Sequence, residues 1–188
     1  MRVSIVLPTY NERENVAPLI KSLFTLGSSY DLEIIIVDDN STDGTLNLIK
    51  EMSLKDNRIR LIRRVGRHGL ASAIKEGLLD ATGDFAAVMD SDGQHEPTAI
   101  FESIEKLKKE GLDLVAGSRF VGGAEIHGLS SRRKEGSSFA NSFARMSLNK
   151  RYRHLTDFMS GCFVMDLNKC LPLICKVDVN GFKFLYEL

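Results

Sequence analysis

Short runs of apolar and β-branched residues alternate with longer segments in which apolar residues recur every three or four positions. The short runs are typical of buried strands, and the recurring positions are typical of amphipathic helices. Strands are predicted at residues 3–7, 33–37, 59–63, 85–89 and 112–116. Helices are predicted after Asn11, which we interpret as an N-cap with Glu12 and Glu14 in the first turn, and at residues 45–52, 70–81 and 97–110.

This alternation predicts an α/β fold, in which a mostly parallel sheet carries helices on both faces. Ligands of such sheets bind in the crevice at the carboxyl ends of the strands. Polar clusters directly follow the predicted strands 3–7, 33–37 and 85–89. We therefore expect these clusters to lie together at one edge of the sheet.

The texture of the sequence changes after Gly117, where glycine and serine predict a flexible loop. A helix is predicted from residue 132 to about residue 149, a turn into a strand at 157–164, and a short helix at 168–175. No segment has the composition of a linker between domains. We therefore expect a single domain over residues 1–188.

The composition excludes several classes of protein. Of the 188 residues, 43% are hydrophobic, and 25 basic residues balance 25 acidic ones, so no net field attracts nucleic acid. No window has the roughly 18 to 20 apolar residues of a membrane span. Pro8 and the polar run 9–15 make the first apolar stretch too short for a signal peptide, which predicts a cytoplasmic location. The three cysteines are predicted to be buried free thiols.

Two acidic pairs follow predicted strands. Asp90 and Asp92 are separated by one residue and are followed by Gly93. Because two carboxylates this close repel each other, they favour binding of a hard divalent cation such as Mg²⁺ or Mn²⁺. The alternative is a solvated turn, because Asp, Ser and Gly are turn formers. Asp39, or Asp38 beside it, could accept hydrogen bonds from a base or a ribose. For Asp39 the alternative is a helix cap or an Asx-turn. We expect all four carboxylates to face one crevice.

At this point the sequence resembles a known family. Four motifs occur in order: SIVLPTYNE (4–12), IVDDNSTDG (36–44), MDSDGQH (89–95) and GSRF (117–120). They are similar to the consecutive signatures of the inverting glycosyltransferases with the GT-A fold, a Rossmann-like α/β fold. Gln94 and His95, with RRKEGS (132–137), DFMSG (157–161) and GFK (181–183), resemble the dolichyl-phosphate mannose synthase subgroup.

The resemblance implies roles for particular residues. Base and ribose would be bound by Pro8, Tyr10, Glu12 and Asp39. The metal and the donor diphosphate would be held by Asp90, Asp92 and Gln94, and Arg119 would contact phosphates. The lipid phosphate would be bound by Arg133 and Ser137, with Lys183 as a further anion contact. Residues 1–120 would bind the nucleotide sugar, and residues 121–188 would form the acceptor side.

The implied reaction moves a mannose-type or glucose-type sugar from a nucleotide diphosphate to a polyprenyl phosphate, with inversion. This predicts work at the cytoplasmic face of a membrane, through peripheral contact or a membrane-anchored partner. A hydroxyl acceptor is the alternative, and its base would be Glu125, Glu135 or Asp157. A nicotinamide-dependent oxidoreductase is disfavoured because residues 8–15 contain no glycine. Since such enzymes continue beyond the GFK motif, we expect a shortened chain, which would favour a further alternative, a binding module without catalysis.

Overall fold

A computed structural model describes residues 1–117, 160–179 and 184–188 of the chain. Its strands are β1 (Arg2–Thr9), β2 (Asp31–Asp38), β3 (Ile59–Arg63), β4 (Phe85–Met89), β5 (Leu114–Ala116) and β6 (Cys162–Asp166). Its helices are α1 (Val16–Leu26), α2 (Thr45–Lys55), α3 (Leu70–Asp80), α4 (Thr98–Glu110), α5 (Leu167–Ile174) and α6 (Phe184–Glu187). None of these helices is long and apolar enough to cross a bilayer.

The six strands form one sheet in the order β3-β2-β1-β4-β6-β5. Strands β1 to β4 run parallel to one another, whereas β6 runs antiparallel between β4 and β5. The mostly parallel α/β fold predicted from the sequence is therefore confirmed. The carboxyl ends of β1, β2 and β4, which carry the polar clusters, lie side by side at one edge.

Each face of the sheet packs against its own set of helices. Alternate residues of β1 illustrate the division, because Ile5 and Leu7 contact the core under α1, α2 and α4. Val6, between them, belongs to the core formed with α3, α5 and α6. All three side chains are completely buried, and this burial on both faces explains why the strands are continuous apolar runs.

The start of α1 differs from the prediction. The helix begins at Val16, so Asn11 is not its N-cap and Glu12 and Glu14 precede the first turn. Asn11 adopts a left-handed conformation with φ 57°, which asparagine tolerates better than most residues. Its amide donates to Ser41 Oγ (2.8 Å) and its Oδ1 accepts from the Thr42 amide (2.9 Å). These hydrogen bonds connect the loop after β1 to the segment after β2, and the helix begins only at Val16.

The other boundaries agree to within a few residues where the structure describes them. β5 begins at Leu114 rather than at residue 112. Helix α5 begins at Leu167, where the side chain of Asp166 caps it by accepting from the Lys169 amide. The predicted loop after Gly117 and the predicted helix at 132–149 lie outside the described residues.

The amino-terminal edge of the sheet, opposite the polar clusters, carries a buried carboxylate. Glu33 is only 1% exposed, and it accepts from Ser4 Oγ (2.6 Å), from Thr82 and from Arg60 Nη1 (3.1 Å). Burial favours its neutral form, but these hydrogen bonds outweigh burial and lower its pKa to about 2. This hydrogen-bond network stabilises the amino-terminal edge of the sheet, opposite the candidate site.

The cysteine prediction holds for two of the three thiols. Cys162 and Cys170 are buried, as expected, whereas Cys175 is exposed. Cys175 lies just beyond the last residue of α5, where the chain leaves the core. The prediction was therefore wrong for Cys175.

Candidate functional site

Backbone and side-chain hydrogen bonds join the strand ends at the carboxyl edge. The Asp39 amide donates to the carbonyl of Thr9 (3.0 Å), which links the end of β2 to β1. Ser91 Oγ donates to the carbonyl of Pro8 (2.8 Å), which links the segment after β4 to the same strand. Ser91 is itself buried. The acidic segments after β2 and β4 are thus held on either side of β1.

Asp38 does not face the crevice, contrary to the prediction that four carboxylates would share it. Its side chain is completely buried. Oδ1 accepts from the Ser41 amide (2.8 Å) and Oδ2 accepts from Ser41 Oγ (2.6 Å). Asp38 therefore accepts from the residue three positions on, rather than two as in an Asx-turn, and it shapes the loop after β2.

Asp39 forms an ion pair with a buried arginine that the sequence analysis did not single out. Arg64 is completely buried; its Nε lies 2.6 Å from Asp39 Oδ1, and its Nη2 donates to Oδ2 (3.1 Å). The amide of Gly69 also donates to Oδ2 (2.9 Å). A carboxylate can accept about four hydrogen bonds. These three contacts fix the carboxylate of Asp39, and its Oδ1 is buried.

Arg64 also binds the loop that enters α3. Its Nη1 donates to Ser72 Oγ (2.8 Å) and its Nη2 donates to the carbonyl of Gly69 (3.2 Å). An arginine directly after an apolar strand normally indicates an exposed position, so its burial was not expected. The available signal was its location, since Arg64 follows β3 at the same edge as Asp39.

Asp90 follows β4 and lies against the chain entering β6. Its amide donates to the carbonyl of Gly161 (2.9 Å). The thiol of Cys162, next along the chain, has its pKa raised to about 12 by burial and, second, by the negative charge of Asp90. Asp90 is thus positioned by backbone contacts at the point where β4 and β6 meet.

Asp92 and Gln94 are exposed residues of the turn after β4. Asp92 Oδ1 accepts from the Gln94 amide (3.0 Å), and Gly93 between them has φ 75°. The turn considered as an alternative for Asp92 is therefore present. It does not exclude a ligand role, because the second carboxylate oxygen accepts no hydrogen bond from the part of the chain that the structure describes.

The remaining predicted donor residues lie at and beyond the end of β1. Pro8 is buried within the strand, whereas the Tyr10 side chain is 58% exposed. Glu12 Oε2 accepts from Asn15 Nδ2 (2.7 Å). The exposed ring of Tyr10 belongs to the loop between β1 and α1, beside the segment that carries Asp39.

The residues after β4 could bind a divalent cation that has few protein ligands. Within residues 1–117, 160–179 and 184–188, no group of three or more His, Cys, Asp or Glu side chains could hold a metal. The donor set after β4 comprises two carboxylates and the amide of Gln94, all of which supply oxygen. Mg²⁺ typically binds one or two carboxylates, with waters and substrate phosphates as its other ligands. The residues present therefore fit a metal that binds together with a diphosphate.

The predicted phosphate-contacting residues lie outside the described residues; they are Arg119, Arg133, Ser137 and Lys183. The same is true of the candidate bases for a hydroxyl acceptor, Glu125, Glu135 and Asp157.

Residues 4–170 match the family described as glycosyl transferase family 2. The chain is 38% identical over 188 residues to a dolichol-phosphate mannosyltransferase of Pyrococcus furiosus, covering 100% of this chain and 52% of that protein. It is 31% identical over 195 residues to a dolichol-phosphate mannosyltransferase of Saccharomyces cerevisiae, covering 98% and 68%. The chain therefore spans about half the length of the Pyrococcus furiosus protein.

Solved structures share the fold at low sequence identity. A mannosyltransferase of Pyrobaculum calidifontis, in complex with GDP-Man and Mn²⁺, is 17% identical with a TM-score of 0.65, covering 98% of this chain and 50% of that one. Glucosyl-3-phosphoglycerate synthase of Mycobacterium tuberculosis, in complex with Mn²⁺, UDP-Glc and phosphoglyceric acid, is 22% identical with a TM-score of 0.64, covering 88% and 56%. These likenesses concern the fold, and they confirm the predicted GT-A type.

Proposed function

Because the chain belongs to glycosyl transferase family 2, we propose that it transfers mannose from a nucleoside diphosphate sugar to dolichyl phosphate or a related polyprenyl phosphate, with inversion. The observation that carries the proposal is the position of Asp39, Asp90 and Asp92 at one sheet edge, after the two strands β2 and β4 that flank β1. The two relatives named dolichol-phosphate mannosyltransferase support the choice of sugar and acceptor.

The donor base binds near Asp39 in this proposal. Its carboxylate is fixed by Arg64 and Gly69, and a carboxylate accepts hydrogen bonds from the N–H groups on the edge of a base. We propose guanine as the base, in keeping with the GDP-Man bound to the Pyrobaculum protein. Tyr10, which is exposed beside this position, would contact the base or ribose together with Pro8 and Glu12.

The donor diphosphate binds after β4. Asp90, Asp92 and Gln94 would hold a divalent cation, and a bound Mg²⁺ or Mn²⁺ would neutralise charge on the departing diphosphate. The Asx-turn at Asp92 keeps one carboxylate oxygen in place on an exposed residue. Ser91, which is hydrogen-bonded to Pro8, fixes the backbone between the two acids. Positioning of the ligand groups is thus built into the strand ends.

The acceptor needs no protein base. A phosphate monoester has a second pKa of about 6, so it is largely ionised at neutral pH and can attack the anomeric carbon directly. Catalysis then rests on positioning and on electrostatic stabilisation of the leaving group. Arg119 would contact the donor phosphates, and Arg133, Ser137 and Lys183 would bind the acceptor phosphate. Because the acceptor is a lipid, this proposal places the protein at a membrane surface, with residues 121–188 as the acceptor side.

The test is a transfer assay with labelled donors. GDP-mannose and UDP-glucose are each offered with Mn²⁺ to the protein, together with dolichyl phosphate or with dolichol, which ends in a hydroxyl. We expect label to move from GDP-mannose to dolichyl phosphate alone. Transfer to dolichol would indicate a hydroxyl acceptor, and nucleotide binding without transfer would indicate a binding module. Either result would contradict the proposed reaction.

A further inference from the structure

Strands β4 and β6 bring Gly161 and Asp90 into contact. Met89, the last residue of β4, is opposite Cys162, the first residue of β6. One residue further, the Asp90 amide donates to the Gly161 carbonyl (2.9 Å). The α-carbon of Gly161 lies against the side chain of Asp90.

The carboxylate of Asp90 occupies the space that a side chain at position 161 would need. A Cβ built on Gly161 would overlap Asp90 Oδ2 and Cγ and would lie 3.0 Å from Oδ1. The backbone does not itself require glycine here, because Gly161 is not among the residues with a positive φ. Glycine is needed at position 161 for space, and the group that uses the space is a carboxylate.

The backbone around Gly161 has little freedom to move away. Ser160 Oγ donates to the Cys162 carbonyl (2.8 Å) and accepts from the Cys162 amide (3.1 Å). The Gly117 amide donates to the same carbonyl (2.8 Å). Ser160 and Cys162 are both buried. An added methyl group at position 161 would therefore displace the Asp90 carboxylate rather than the backbone of residues 160–162.

We propose that Gly161 is a positioning residue, which holds the Asp90 carboxylate where it can bind the cation of the donor site. This inference rests on the proposed function for the identity of the ligand, but the contact itself does not depend on it. A residue larger than glycine at position 161 would leave the nucleotide-binding residues at and beyond the ends of β1 and β2 in place. It would alter only the geometry at the metal.

The first experiment measures metal binding in Gly161→Ala. Mn²⁺ binding is followed by electron paramagnetic resonance, and GDP affinity by calorimetry with Mn²⁺ and with a chelator. We expect Mn²⁺ affinity to fall about 10- to 100-fold, as for other changes that misplace a metal ligand, and GDP affinity in chelator to stay unchanged. Unchanged Mn²⁺ affinity in the folded variant would overturn the proposal.

Gly83→Ala is the matched control. A Cβ at position 83 would lie 2.7 Å from the Phe85 carbonyl oxygen and 2.8 Å from the Ser4 amide. This clash is severe, but it lies at the opposite end of β4 from Asp90. We expect Gly83→Ala to lower the Tm and to leave Mn²⁺ affinity unchanged. Loss of Mn²⁺ affinity in this control would mean that general destabilisation explains the effect, and it would overturn the proposal.

A double-variant cycle tests the contact without any ligand. If the Asp90 carboxylate is what an alanine meets, Asp90→Ala removes the clash, and Gly161→Ala should lower the Tm much less in that background. Equal losses of Tm in both backgrounds would overturn the proposal. If the unchanged protein bound no Mn²⁺, the proposed function would fail, and the cycle would still report on the Gly161–Asp90 contact.

Discussion

Replacing Arg64 with methionine tests the buried ion pair at the candidate donor site. The change keeps a long apolar side chain but removes the charge that faces Asp39 at 2.6 Å. Arg64 is 0% exposed and Asp39 is 9% exposed, so the change leaves a largely buried carboxylate without its charged partner. Removing one member of a buried ion pair costs about 3 to 5 kcal/mol. Because Asp39 keeps the hydrogen bond from Gly69, we expect the lower value, about 3 kcal/mol.

The assay is urea denaturation at neutral pH, with Arg63→Met as the matched control. Arg63 is the neighbouring arginine, but it is exposed and its side chain donates to Asn40, so its loss should cost less than about 1 kcal/mol. Adding Asp39→Asn to Arg64→Met should restore at least half of the lost stability, since no unpaired charge remains. Equal losses in the two arginine variants would refute the reasoning.

Three further predictions follow from the described geometry and the proposed acceptor side. Glu33→Gln should flatten the pH dependence of the free energy of unfolding between pH 4.5 and about 2. A carboxylate with a lowered pKa stabilises the fold above its unfolded pKa of 4.5 and loses that contribution, up to about 3 kcal/mol, as the pH falls. A pH dependence in urea denaturation that is unchanged over this range would contradict the network. Arg133→Ala should weaken transfer to dolichyl phosphate and leave GDP affinity unchanged by calorimetry; parallel loss of both would contradict the assigned role. Of the three cysteines, Cys175 should react rapidly with a thiol reagent in the native protein, whereas Cys162 and Cys170 are buried; three fast thiols would contradict this packing.

The sequence predicted the sheet well because burial on both faces leaves an unambiguous pattern. β2 and β4 are short apolar runs that end at acidic residues, and the structure places them on either side of β1. The position of β6 could not be derived in the same way. Its apolar residues predict a strand, but nothing in their periodicity indicates an antiparallel insertion between β4 and β5. That placement depends on contacts that are distant in sequence.

Residue type alone also left local roles undecided. Asn11 is suited both to a helix N-cap and to a left-handed turn, and its contacts with Ser41 and Thr42 select the turn. Asp38 and Asp39 are adjacent identical residues, yet one is hydrogen-bonded to Ser41 and the other is paired with Arg64. The choice between them depends on which way each side chain points from the strand end, and the sequence does not record it.

The central claim is that a divalent cation bound after β4 holds the diphosphate of the donor, and Asp92→Asn tests it most directly. Asparagine keeps the oxygen that accepts from the Gln94 amide, so the turn should survive with a stability change of about 0.5 kcal/mol. GDP is titrated into the folded protein and into the variant, with Mn²⁺ and with a chelator. The account predicts that Mn²⁺ strengthens GDP binding to the unchanged protein and that this enhancement is lost in Asp92→Asn. An undiminished enhancement in the variant would contradict it.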